Sequence, residues 1–78
     1  MNTPSIYLVK DLARLSGLSI HTIKYYLRID LIREVGRSPE TNYRYFNQAV
    51  LDQLGTICSL RRRGKSLREI HAELSSHR

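Results

Sequence analysis

Along the 78-residue chain the apolar positions keep helical spacing in four stretches and strand-like spacing in one. Val9, Leu12, Ala13 and Leu15 fall on one side of a first helix that ends at Ser16-Gly17, where glycine suits a left-handed stop. Ser19 is a good N-cap for a second helix from Ile20 to about Ile29. Two helices joined by a short turn containing Gly are the signature of a helix-turn-helix. Leu31-Ile32-Arg33-Glu34-Val35 is β-compatible, residues 36–42 are turn-rich, and Tyr43-Arg44-Tyr45-Phe46 is aromatic and strand-like, which predicts a hairpin or wing. Asn47 can cap a third helix, whose Val50, Leu51, Leu54, Ile57 and Leu60 keep helical spacing as far as Gly64. Ser66-Leu67-Arg68-Glu69 reads as a capping box that opens a fourth helix with Leu67, Ile70 and Leu74 on one face. The predicted fold is mainly α, a winged helix-turn-helix of about four helices with a small β-hairpin wing, occupying residues 1–78 as a single domain.

Length limits this fold to one core, because a chain so short buries only about 60–65% of its unfolded surface. Thirteen Lys and Arg against seven Asp and Glu leave a formal charge of +6. That excess in so small a domain points to a polyanionic partner. The single cysteine, Cys58, excludes an internal disulfide and a Cys-rich zinc module. No apolar run approaches the roughly 18–20 residues of a membrane span, and the N-terminus lacks the order of a signal peptide, so a cytoplasmic, nucleoid-associated protein with no membrane partner is expected.

From about Tyr7 to Leu74 these segments resemble the MerR-type transcriptional regulators. Residues 9–19 are similar to that family's first helix and turn, and Ile20-His21-Thr22-Ile23-Lys24-Tyr25-Tyr26 to its recognition helix with paired aromatics. Ile29-Asp30-Leu31-Ile32 resembles the exit toward the wing, Asn42-Tyr43-Arg44-Tyr45-Phe46 the Gly-Tyr-Arg-x-Tyr wing strand, and residues 63–70 the junction of helices three and four. The chain departs from the pattern with Leu27 where an acid is frequent, Asn42 where Gly is frequent, and Arg63 and Lys65 where apolar residues are frequent. The resemblance implies regulation at a promoter engaged by RNA polymerase. Family members usually continue into a coiled-coil dimerisation helix and an effector domain, neither of which lies within these residues. A monomer is therefore expected, pairing on DNA or through a missing C-terminal helix.

On the second helix, Ile23, Tyr26 and Leu27 face the core at i, i+3, i+4, leaving His21, Thr22, Lys24, Tyr25 and Arg28 near the opposite side. A helix docked in a major groove presents its N-terminal residues to base edges, so His21 and Thr22 are the candidate readers, with Lys24, Tyr25 and Arg28 reaching phosphates or bases. A merely solvated polar face is the bland alternative. The resemblance adds DNA contact for one aromatic of the pair, and backbone contact for Tyr43 and Arg44 with Arg37 helping. Against that stands a purely internal pairing of Arg44 with Asp30 or Glu34. Residues 61–68 carry five cations and no acid before Glu69, so Arg62, Arg63, Lys65 and Ser66 are candidates for phosphate contact beside the first turn of helix four; helix-end capping is the alternative. No residue spacing supports an enzyme, a metal site or a cofactor: Cys58 sits beside core positions, and His21, His71 and His77 are scattered. Sequence-specific binding of double-stranded DNA by a transcription regulator is the function expected. An architectural or excisionase-like recombination directionality factor is the alternative, and the DNA-binding head of a transposase or recombinase is a third reading.

Overall fold

A computed structural model describes residues 6–76 of the chain. Four helices and one two-stranded antiparallel sheet follow in the order α1 (Val9–Ser16), α2 (Ile20–Arg28), β1 (Gly36–Arg37), β2 (Arg44–Tyr45), α3 (Gln48–Arg62) and α4 (Leu67–Ser75). Each start is chemically marked. The Asp11 carboxylate accepts the Leu8 N–H at 2.9 Å ahead of α1, Ser19 accepts from the Thr22 amide at α2, and Asn47 accepts from the Val50 amide at α3. At α4 the capping box closes both ways, Ser66 Oγ accepting the Glu69 N–H and Glu69 accepting the Ser66 N–H.

The ends are equally local. Beyond α3 the Gly64 N–H reaches the Arg61 carbonyl and the Lys65 N–H the Leu60 carbonyl, a Schellman motif that requires the left-handed φ of 88° at Gly64. The same pair of bonds ends α2, from Asp30 to Leu27 and from Leu31 to Tyr26, but here the left-handed residue is Asp30 at φ 61°. Asp tolerates that conformation better than most side chains.

This second motif moves the hairpin from where the sequence places it. Leu31 and Ile32 are fully buried core residues in a turn, not a strand, because the Schellman geometry carries the residue after Asp30 back onto the helix it has just left. The first strand is instead Gly36–Arg37, within the segment read as a turn, and it pairs Gly36 with Tyr45 and Arg37 with Arg44. The connecting loop turns at Asn42, also left-handed at φ 61°, so the Asn that departs from a frequent Gly preserves the backbone shape.

The core is a single cluster to which every helix contributes: Leu12 and Ala13 from α1, Ile23 and Tyr26 from α2, Val50, Leu54, Ile57 and Leu60 from α3, Ile70 from α4, with Leu31, Ile32 and Phe46 between. Helix α1 packs against α2 and α3, and α4 against α3. Leu15, expected on the buried side of α1, is 47% exposed, because the buried stripe centres on Leu12 and Ala13 and Leu15 falls on its flank. Phe46 anchors the hairpin to the core. Its side chain is wholly buried, worth about 1.5–3 kcal/mol, and its backbone forms a two-bond bridge with Tyr7 at 2.8 and 2.7 Å.

Candidate nucleic-acid interface

Because Ile23 and Tyr26 are drawn into the core, α2 turns His21, Lys24, Tyr25 and Arg28 to solvent. Leu27, expected in the core, is half-buried and forms part of the wall of a groove beside the helix. The paired aromatics divide as the spacing predicts, Tyr26 buried and Tyr25 41% exposed, their rings 6.4 Å apart and tilted by 50°. Burial pushes the Tyr26 phenol up, with the nearby Cys58 adding and the Arg61 guanidinium opposing. Thr22 is half-buried, and its hydroxyl lies 2.9 Å from the Ser19 hydroxyl that caps α2. Its methyl and its remaining lone pairs are what it can offer a ligand, whereas His21 is exposed and its side chain makes no hydrogen bond or ion pair among the described residues.

Between α2 and the hairpin lies a groove of about 680 Å³ lined by Lys24, Leu27, Arg28, Arg33, Glu34, Arg37 and Arg44 among others. A second, of about 450 Å³, runs from the start of α1 past Ile20 to Tyr43. Lys24 and Arg44 line both, so they stand on the ridge between the grooves. Five of the sequence candidates are thereby assembled on one surface: Lys24, Arg28, Arg37, Tyr43 and Arg44.

The hairpin arginines do not stand alone. Arg37 donates from Nε to Glu34 Oε2 at 2.7 Å and Arg44 from Nε to Glu34 Oε1 at 2.8 Å, so one carboxylate spans the cross-strand pair. Of the two acids the sequence allows for Arg44, Glu34 is the one engaged; Asp30 instead takes a two-pronged bond from Arg33 at 2.9 and 2.8 Å. The Arg37 hydrogen bond holds the Glu34 carboxyl below the ordinary range, Arg44 adding to it against partial burial.

Arg62, Arg63, Lys65 and Ser66 lie at the turn from α3 to α4 and line neither groove. Arg61, Arg62, Arg63 and Arg68 are exposed there, while Lys65 is half-buried and its carbonyl accepts from Arg61 at 3.1 Å. The amide and hydroxyl of Ser66 are both committed to Glu69, whose carboxyl they hold below its ordinary range, with the Lys65 charge contributing. That occupies part of the amide cluster expected to meet a phosphate.

Sequence reasoning missed Lys10 and Arg33. Lys10 lines the second groove because the Tyr7–Phe46 bridge brings the start of α1 beside the hairpin, a pairing no local pattern announces. Arg33 escapes the pattern because its segment, residues 31–35, reads as β-compatible.

Residues 7–77 match the model of the MerR HTH family regulatory proteins. The chain belongs to the MerR family. Its four helices and hairpin are that family's winged helix-turn-helix DNA-binding domain, as the solved relatives show. It is 35% identical over 66 residues to the multidrug-efflux transporter 1 regulator of Bacillus subtilis (strain 168), covering 85% of this chain and 24% of that protein. The crystal structure of a MerR-family transcriptional regulator from Bacillus cereus superimposes with a TM-score of 0.84 at 23% identity, over 90% of this chain and 52% of that one. HiNmlR, a MerR-family regulator lacking the sensor domain and solved bound to promoter DNA, gives a TM-score of 0.83 at 26% identity over 94% of this chain and 55% of its own. The MerR-like chain thus spans about a quarter to a half of the relatives it matches. Among its described residues no helix is long and apolar enough to cross a membrane.

Proposed function

We propose that the chain binds promoter DNA sequence-specifically for a transcription regulator, with α2 in the major groove and the hairpin on the adjoining backbone. The observation that carries this reading is the ridge of Lys24 and Arg44 between two grooves, which puts cations from the helix and the hairpin on one surface beside the exposed His21 and Tyr25. An α-helix with its side chains is about 10–12 Å across, which suits a major groove about 12 Å wide. Phosphate contacts from Lys24, Arg28 and Arg44 would fix the docking, and His21 and Thr22 at the helix start would read base edges. The exposed cations of the α3–α4 turn serve as a second, looser backbone contact.

The chain alone is proposed to be a monomer that meets one half-site, with RNA polymerase joining only at the promoter. Sedimentation at tens of micromolar should give the mass of one chain; a stable dimer would contradict it. Docking itself is tested by selecting duplexes from a random pool with the 78-residue chain, and enrichment of no common sequence would reject specific recognition.

A further inference from the structure

We propose that Glu34 is a positioning residue for DNA recognition, acting through Arg37 and Arg44. The inference rests on the DNA-binding reading above but concerns a residue of the wrong charge for it. Arg37 and Arg44 face each other across the two-stranded sheet, where like charges repel and would splay two long, mobile side chains. Glu34 prevents this with one carboxylate, each oxygen taking the Nε of a different arginine at 2.7 and 2.8 Å. Holding an arginine by Nε fixes the plane of its guanidinium while leaving its outer nitrogens for another acceptor. Arg44 keeps both outer nitrogens unused among the described residues, and Arg37 commits one only to a long 3.4 Å contact. Such a fork, with its plane set in advance, matches a phosphate in two-pronged fashion. The Glu34 side chain is 29% exposed, at the wall of the groove it shares with Lys24 and Arg28, so its charge is close to any phosphate the arginines would hold.

Electrostatics alone makes the opposite prediction. Removing Glu34 raises the net charge above +6 and deletes a repulsion, which should tighten binding to a polyanion. If Glu34 positions the arginines, its removal weakens binding. Each long side chain that binding must otherwise immobilise costs roughly two- to tenfold in affinity, and two are involved.

The test uses the 78-residue chain and a duplex selected from a random pool, with anisotropy read at several salt concentrations. Glu34→Ala should weaken binding about tenfold and make the salt dependence shallower by about one unit, despite the added positive charge. Glu34→Gln keeps the size and one acceptor, and should fall between, about threefold weaker. In an Arg37→Ala, Arg44→Ala background the sign should reverse, because with nothing left to position only the repulsion remains and Glu34→Ala then tightens binding. A purely structural role gives no sign reversal in that background, and its absence would overturn the proposal. Tighter or unchanged binding by a folded Glu34→Gln chain would do the same. Failure of the unsubstituted chain to bind any selected duplex would reject the DNA-binding reading, and the role of Glu34 with it.

Discussion

The hairpin and the α3–α4 turn are both rich in arginine, but they hold it differently. Around the hairpin each arginine has a carboxylate, Arg33 on Asp30 and Arg37 and Arg44 on Glu34. At the turn, Arg62, Arg63 and Arg68 form no ion pair among the described residues, and the Glu69 carboxylate is aimed at the backbone of Ser66. These hairpin pairs are partly exposed, with Arg side chains 39–63% accessible, so solvent screens them and they add little stability. Their effect is on geometry. One region supplies directed cations and the other diffuse charge, and the two should respond differently to substitution.

The largest effect should come from cutting the hairpin off the core. Phe46→Ala removes a wholly buried ring and should cost about 3–5 kcal/mol, enough to threaten a domain of this size; thermal melting by circular dichroism checks it. The turn is held at its two ends by the buried Leu60 and Ile70. Its most sensitive position is Gly64, where Ala must adopt φ near 88° and should cost about 1–2 kcal/mol. At the hairpin the corresponding change is Gly36→Ala, whose new methyl would meet the Tyr45 ring. The far end of Tyr45 can swing away, so a cost of about 1 kcal/mol is expected, with the hairpin cations losing their alignment. Ser66→Ala removes an N-cap and should cost about 1 kcal/mol, a loss confined to α4 and leaving the hairpin untouched.

Acid should act on both regions through their carboxylates. The folded-state pKa values of Glu34 and Glu69 are depressed, so their contribution is fully present above the ordinary carboxylate pKa of 4.5 and is lost as pH falls below it through the folded values. Melting temperature should therefore be flat from pH 7 to about 5 and decline below. Glu34→Gln and Glu69→Gln should each flatten that decline, and a decline unchanged in both would place the acid-labile groups elsewhere.

Much of this molecule is legible in its sequence because its signals are local. Ser19, Asn47 and the Ser66–Glu69 pair each act within three residues, and all three caps form where the pattern puts them. The division of Tyr25 from Tyr26 follows from helical spacing alone. What the pattern misplaces is the stretch after α2. An apolar pair such as Leu31-Ile32 reads alike in a strand and in a turn folded onto the core, and only the left-handed Asp30 decides between them. Asp gives no warning of that, whereas Gly64 does. The candidate surface follows the same division. Lys24 and Arg28 were visible as helix-face residues, but Lys10 joins them through a bridge between segments far apart in sequence, and the sharing of Glu34 by two arginines depends on a strand register that begins at Gly36.

Base reading by α2 and backbone contact by the hairpin are separated by one anisotropy series. It compares His21→Ala and Arg44→Ala on a selected and a random duplex across salt concentrations. His21→Ala should cost about 1–3 kcal/mol on the selected duplex and little on the random one, with an unchanged salt slope. Arg44→Ala should weaken both alike and reduce the slope by about one unit, as one phosphate contact is lost. Equal losses on both duplexes for His21→Ala, or a slope indifferent to Arg44, would mean that helix and hairpin do not divide recognition in this way.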